Sequence, residues 1–387
     1  MQHSLDTQGA HRERTRRVMI GDIPVGAGAP ISIQSMTLTS PVDVAGSIAE
    51  IQRLAEAGVD IVRTAVPNEA AADRLPELVQ NSPVPLVADI HFNYQLAIAA
   101  AEAGVAKLRL NPGNIGDAKR VRAVVDAARE RSLPIRIGVN AGSLERDLLA
   151  EFGSPTAEAM VESARRHVRV LEDEGFEDIV ISLKASHVPL MIAAYRLAAQ
   201  EFVYPLHLGV TEAGTPRAGN IKSAIGIGTL LAEGIGDTLR VSLSADPVEE
   251  VHAARTILES LDLRRESIRI IACPGCGRLQ VDLIRLAEEV EERTRDIRKP
   301  LTIAVMGCAV NGPGEAREAD IGIAGGKGEG LLYVRGEVAR KVPEAEIVDA
   351  LIELIDEVEP DPDRAAPGEG SVNFTPDWAD GGTVSAS

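Results

Sequence analysis

The chain is poor in cysteine and in aromatic residues, carries no excess of positive charge, and has no long apolar run. Each shortage excludes a class of protein. Three cysteines in 387 residues, all between positions 273 and 308, cannot form a disulfide framework. One Trp, four Tyr and five Phe provide few stacking surfaces, and 40 basic against 58 acidic side chains give a net charge of −18, so a nucleic-acid-binding face is not expected. No stretch approaches the roughly 18 apolar residues of a membrane span, and MQHSLDTQGAHRERTRR at the N-terminus has no apolar signal-peptide core. The expected compartment is the cytoplasm.

Hydrophobic residues at 45% and charged residues at 25% are the balance of a globular protein with a sizeable core, and the length allows two or three domains. Residues 1–16 read as a polar, mobile arm. Val18–Ile20 and Ile23–Val25 flank a Gly-Asp pair and read as a hairpin. A short β-branched run, a loop and an Ala/Leu/Glu-rich segment then recur eight times. The strands read are 31–35, 61–64, 85–89, 107–110, 135–139, 179–183, 205–209 and 238–242; the helices are 43–57, 68–80, 93–103, 117–131, 156–174, 188–201, 219–233 and 247–260. Eight βα units predict a TIM barrel over 17–260 in preference to a doubly wound open sheet, which gives no reason for eight. After a charged linker at 261–267, a smaller α+β module follows to residue 358. It contains IRIIACPGCGR, a helix at 279–295, LTIAVMGCAVNGPGE, a Gly-turn hairpin in IGIAGGKGEGLLYVRG, and a helix at 343–358. Residues 359–387 read as a disordered tail.

Chemistry in a TIM barrel lies at the C-terminal strand ends. Gln34, Ser35 and Thr37 follow strand one, Arg63 ends strand two, and Asp89 and His91 end strand three. Arg109, Asn111 and Asn114 follow strand four, and Arg136, Asn140 and Ser143 belong to strand five. Lys184 and Ser186 end strand six, His207, Thr211 and Glu212 lie on or after strand seven, and Ser242 and Ser244 follow strand eight. Four cations at one mouth of an acidic protein, Arg63, Arg109, Arg136 and Lys184, point to a strongly anionic ligand, most simply a diphosphate. Glu212 and His207 are the titratable pair for proton transfer beside it. GGKGEG lacks the GK[ST] ending of a phosphate loop and reads as a turn.

Cys273 and Cys276 form CPGC, and Cys308 and Glu315 lie in GCAVNGPGE. A CxxC pair at a strand end suits a redox dithiol, half a zinc site or a pair of iron–sulfur ligands. All seven histidines lie at or before position 252, so none inside the module can complete a zinc site. Three thiolates leave one position, which Glu315 can fill as a hard, exchangeable ligand. On spacing alone the three readings stay open.

The motifs ADIHF (88–92), KLRLNPGN (107–114), IRIGVNAGSLE (135–145), LHLGVTEAG (206–214), CPGCGR (273–278) and GCAVNGPGE (307–315) closely resemble those of the bacterial 4-hydroxy-3-methylbut-2-enyl diphosphate synthases of the non-mevalonate isoprenoid pathway. The resemblance runs from about Arg17 to Ile355. It implies an oxidoreductase acting on 2-C-methyl-D-erythritol 2,4-cyclodiphosphate, with a [4Fe-4S] cluster on Cys273, Cys276, Cys308 and Glu315. Two electrons would come from ferredoxin or flavodoxin, or an NADPH-linked relay, to open the ring and expel water. Arg63, Arg109, Arg136 and Lys184 would hold the diphosphate, with Asn140, Ser143, Ser242 and Ser244 as neutral partners. Glu212 would donate the proton, oriented by His207, and Asn311 would contact the substrate oxygen or cap the NGPG turn. The last barrel helix ends at the mouth's opposite end and a seven-residue linker spans at most about 25 Å, which favours a head-to-tail homodimer, as the resemblance also implies. The alternatives are a zinc- or dithiol-dependent barrel enzyme on a sugar phosphate and a non-catalytic iron–sulfur sensor.

Overall fold

The computed structural model describes residues 11–310 and 312–361. They divide at Arg264/Arg265 into two compact units. The expectations placed on residues 1–10, on Asn311 and on 362–387 lie outside the described residues. No helix among the described residues is long and apolar enough to cross a membrane.

The first unit opens with the hairpin β1 (Val18–Ile20) and β2 (Ile23–Val25), paired antiparallel across the Gly21–Asp22 turn with Gly21 at φ +62°. Eight strands follow: β3 (Ser32–Met36), β4 (Ile61–Ala65), β5 (Leu86–Asp89), β6 (Lys107–Arg109), β7 (Ile135–Asn140), β8 (Ile179–Lys184), β9 (His207–Leu208) and β10 (Thr238–Leu239). All neighbours are parallel, in the order β8-β7-β6-β5-β4-β3-β10-β9. A single bridge, Ile181 to Leu206, joins β8 to β9 and closes the ring. The buried Tyr195 hydroxyl reinforces this seam by accepting from the Leu183 amide (3.0 Å) and donating to the His207 carbonyl (2.5 Å). The molecule has the expected TIM barrel. β9 and β10 are shorter than the expected five residues; at the start of β9 the Asp237 side chain takes the Leu206 amide at 2.8 Å.

The barrel helices run where the apolar periodicity placed them, with one division and two short helices, Pro112–Ile115 and Arg146–Phe152, in segments expected to be loops. The expected helix 68–80 is two, Glu69–Ala72 and Leu75–Asn81, the second restarting with a proline, which has no amide hydrogen to continue the first. The hairpin packs Val18, Ile20 and Val25 against Ile61, Val87 and Val180 at the N-terminal ends of the strands, closing the end opposite the mouth.

Residues 11–16 are not a mobile arm. The Arg12 amide donates to the Gly234 carbonyl and the Arg16 amide to that of Val203. Thr15 Oγ1 donates to Asp237 Oδ1 at 2.9 Å, and His11 and Thr15 are buried. Enough polar contacts satisfy this segment to fix a stretch that composition alone leaves mobile.

The second unit is an α+β module of one five-stranded sheet: β11 (Arg269–Ala272), β12 (Thr302–Met306), β13 (Ile321–Gly326), β14 (Glu329–Val334) and β15 (Glu337–Pro343). β11, β12 and β13 are parallel, and β14 and β15 return antiparallel. Helices Leu283–Thr294 and Ile347–Glu357 pack apolar faces on the sheet. GGKGEG is the hairpin turn between β13 and β14, with Gly328 at φ +70°. β15 and the short helix Gly312–Glu318 were not anticipated. β15 is a largely exposed edge strand whose charged residues mask its strand pattern.

Candidate functional site: a buried cationic barrel mouth

Side chains alternate along a strand, so Lys107 and Arg109 share one face of β6, and Arg136, Gly138 and Asn140 one face of β7. Arg109 crosses between them. Its Nη1 donates to Asp89 Oδ1 (3.1 Å) and its Nη2 to the Gly138 carbonyl (3.2 Å). A Cβ on residue 138 would lie 2.6 Å from Arg109 Nη2, so this approach requires glycine. Gly209 serves Lys184 in the same way: a Cβ there would stand 2.8 Å from the ammonium nitrogen.

Arg63 lies 3.7 Å from Asp89 Oδ2 and 3.2 Å, through Nε, from the Met36 sulfur. His91, mostly exposed at the rim, has Nε2 3.7 Å from the same Asp89 oxygen and Nδ1 3.3 Å from Arg109 Nη1. Arg136 is 1% exposed, and its Nε and Nη1, like Arg109 Nε, have no hydrogen-bond partner among the described residues. Lys107 is fully buried and donates to Gln34 Oε1 at 3.2 Å.

Sequence reasoning missed two of these cations. Lys107 was hidden inside a strand, although its spacing of two from Arg109 placed both on one face. Arg240 is mid-strand on the expected span 238–242, but β10 ends at Leu239 and Arg240 begins the loop. Arg240 pairs with Glu250 through Nε and Nη2, both at 3.1 Å. Glu250 is anchored in turn by the Leu243 amide and by Ser35 Oγ.

Six cations (Lys107, Arg63, Arg109, Arg136, Lys184 and Arg240) therefore share the barrel interior with two carboxylates, Asp89 and Glu250, among the described residues. The imbalance is visible in protonation. Burial, only partly offset by Asp89, pulls Arg63 down to about 10, with Arg240 and Arg109 adding to the effect. Burial and neighbouring cations push Lys107, Arg136 and Lys184 well below their usual values. Burial raises Asp89, but its bond to His91 and the charges of Arg63 and Arg109 outweigh this and hold it well below the carboxylate range. A buried excess of positive charge is costly until an anion neutralises it.

The remaining expected residues are less closely gathered. Asn140 ends β7 and its carbonyl accepts from Ser143 Oγ at 3.4 Å. Ser242 is half-buried and Ser244 exposed in the loop after β10, where the Ser244 amide donates to the Gly214 carbonyl at 2.9 Å. Glu212 is exposed in the loop after β9 at φ +53°, a left-handed conformation uncommon for a non-glycine residue. The expected His207–Glu212 pair is not formed among the described residues. His207 is wholly buried, with Nδ1 3.4 Å from Thr238 Oγ1 and Nε2 without a partner. Burial and the charges of Arg136 and Lys184 drive its pKa well down, so the ring is neutral.

In the second unit, Cys273 directly follows β11 and Cys308 lies two residues beyond β12. The parallel register pairs Ala272 with Val305, so both cysteines leave the same edge of the sheet. Cys273 is half-buried, Cys276 exposed and Cys308 buried, and none is in a disulfide. Glu315 lies in the first turn of Gly312–Glu318 and is exposed. Among the described residues no three His, Cys, Asp or Glu side chains converge closely enough to hold a metal ion. The donor set of three thiols and one carboxylate, the cysteines following β11 and β12 and Glu315 in the first turn of a short helix, nevertheless fits an iron–sulfur cluster in chemical type.

Comparison with known proteins covers both units. The GcpE TIM-barrel domain matches residues 15–255 and the GcpE protein C-terminal domain residues 269–357. The 4-hydroxy-3-methylbut-2-en-1-yl diphosphate synthase (flavodoxin) of Geobacter sulfurreducens is 58% identical over 90% of this chain and 98% of its own. The protein of the same name from Bacillus licheniformis is 56% identical over 90% of this chain and 94% of its own. Among solved structures, dihydropteroate synthase from Yersinia pestis is similar at 15% identity with a TM-score of 0.44, covering 64% of this chain and 98% of that one. With both domains matched in order and relatives aligned over nearly their full length, this chain belongs to the GcpE family.

Proposed function

We propose that the chain is the enzyme its relatives' name describes, converting 2-C-methyl-D-erythritol 2,4-cyclodiphosphate to 4-hydroxy-3-methylbut-2-enyl diphosphate. Two electrons and two protons enter. The ring C–O bond at the tertiary carbon breaks, the neighbouring carbon loses its hydroxyl as water, and the diphosphate stays on the product. The observation that carries this reading is the surplus of buried cations at the barrel mouth, which suits a diphosphate held throughout the reaction.

Arg63, Arg109, Arg136 and Lys184, joined by Arg240, bind the diphosphate oxygens, and Asn140, Ser143, Ser242 and Ser244 supply neutral hydrogen bonds. The guanidinium groups provide planar paired donors and Lys184 a point charge. Glu212, on a loop held in an unusual backbone conformation, delivers the proton to the departing hydroxyl. His207 acts as a neutral part of the barrel wall and does not form a relay with Glu212. Cys273, Cys276, Cys308 and Glu315 would hold the [4Fe-4S] cluster. When bound, the cluster supplies single-electron transfer and a Lewis-acid iron.

Flavodoxin or ferredoxin is the proposed electron donor and the cytoplasm the compartment. The head-to-tail homodimer is supported by the chain path: the last barrel helix, Pro247–Ser260, runs back from the mouth, and the linker after it is short. The test is product analysis with anaerobically purified protein, the cyclodiphosphate and reduced flavodoxin. Formation of the hydroxymethylbutenyl diphosphate with about four irons per chain is expected. Colourless protein containing stoichiometric zinc, or an iron–sulfur protein that leaves the cyclodiphosphate unchanged under every reductant, overturns the reading.

A further inference from the structure

Beyond Arg109 the chain enters the turn Pro112–Ile115, which is held from two sides. On one side, Asn111 Nδ2 donates to the Gly138 carbonyl at 3.0 Å and Asn111 Oδ1 accepts from the Gly138 amide at 2.8 Å. That carbonyl is the one Arg109 also uses. On the other side, the Gly113 amide donates to Nδ1 of His167 at 3.2 Å. His167 lies on helix Ala157–Glu172 and is buried. Its Nε2 is 3.4 Å from Glu145 Oε1, an oxygen that also accepts from Ser163 Oγ at 3.1 Å, one turn earlier on the same helix. Glu145 occupies the N-cap position of helix Arg146–Phe152, just beyond the β7 loop that carries Asn140 and Ser143.

One imidazole ring thus touches the loop after β6 with one nitrogen and the loop after β7 with the other. Because Nδ1 accepts, the ring proton belongs on Nε2, facing the carboxylate. Burial favours this neutral form, with Glu145 opposing. The fit is close: a Cβ on Gly113 would come within 2.7 Å of His167 Cε1.

We propose that His167 is a positioning residue for the anion site: by tying Gly113 to Glu145 it sets the Asn111 clamp on Gly138 and, through that clamp, the guanidinium of Arg109. The inference rests on reading the barrel mouth as the diphosphate site. The test is steady-state kinetics of the holoenzyme with the cyclodiphosphate for H167L, H167N, G113A and R109M. H167L is expected to raise KM about tenfold, about 1.4 kcal/mol, with kcat within about twofold. H167N places an amide oxygen where Nδ1 stood, keeps the Gly113 bond without the one to Glu145, and recovers part of the wild-type KM. G113A crowds the ring and reproduces the H167L defect, so it decides the matter if H167L does not fold. Wild-type KM in H167L or G113A, or an H167N as impaired as H167L, overturns the proposal. If R109M is impaired while H167L and G113A are not, this inference alone falls; if R109M also keeps wild-type KM, the diphosphate reading falls with it.

Discussion

Arg136 concentrates the chemistry of the mouth in one side chain. It is buried, two of its nitrogens lack partners among the described residues, and its nearest charges include Arg63 and Arg109. An uncompensated buried cation destabilises the protein that holds it, and an anionic ligand reverses that effect. Arg136→Met is therefore expected to melt, without substrate, at or above the wild-type temperature, and to lose most of the rise that the cyclodiphosphate produces in the wild type. The binding loss should be about 2–5 kcal/mol, the cost of truncating a buried charged partner. A thermal-shift titration of both proteins checks this. A variant that melts well below wild type without ligand, yet keeps the full ligand shift, would make Arg136 a structural residue.

Two elements carry strain points of their own. The β8–β9 seam has one ladder bridge, and Tyr195 reinforces it together with the Thr211 amide, which donates to the Ala185 carbonyl at 3.2 Å just beyond the strands. Tyr195→Phe leaves the Leu183 amide and the His207 carbonyl without their side-chain partner at nearly unchanged volume, which should cost about 1–3 kcal/mol in urea unfolding. An unchanged midpoint would show that the backbone bonds alone close the barrel. The second point is the N-terminal strap over Asp237. Burial pushes this carboxyl up to about 6 from its ordinary 3.8, against hydrogen bonds from the Leu206 amide and Thr15. A carboxyl with a raised folded-state pKa stabilises the fold below about pH 4 and loses that contribution as pH rises through about 6. The wild type should lose about 3 kcal/mol across that window from this group, and Asp237→Asn should lack the slope and be more stable at pH 7. Unfolding midpoints measured at pH 4, 5, 6 and 7 decide it. Parallel slopes in the two proteins would remove Asp237 as the cause.

At the scale of the whole molecule, the residues proposed to bind substrate and those proposed to hold the cluster lie in separate compact units. If the enzyme works as a head-to-tail dimer, one site with both intact halves can be assembled from two defective chains. Mixed dimers of an Arg136→Met chain with a Cys276→Ser chain should recover a clear fraction of wild-type turnover, although neither parent homodimer is active. Purified, doubly tagged heterodimers with no activity above the parents would exclude sharing of sites between chains.

Much of this was legible from the residues in order. The eight apolar runs, the Gly-Asp hairpin and the Arg63, Arg109, Arg136 and Lys184 positions are local patterns, and backbone periodicity alone brings such residues to one end of a barrel. The linear order also placed Cys273, Cys276 and Cys308 in one module beyond every histidine. Only the tertiary structure decided the rest, because the rest depends on contacts between distant segments. It brought Arg240 and Lys107 into the cationic set, separated His207 from Glu212 by burying the ring, and fastened residues 11–16 to the barrel through Gly234, Val203 and Asp237. It also joined Gly113 to His167 across 54 residues. A sequence states which side chain can carry a charge; which charge is left without a partner depends on what the rest of the chain packs around it.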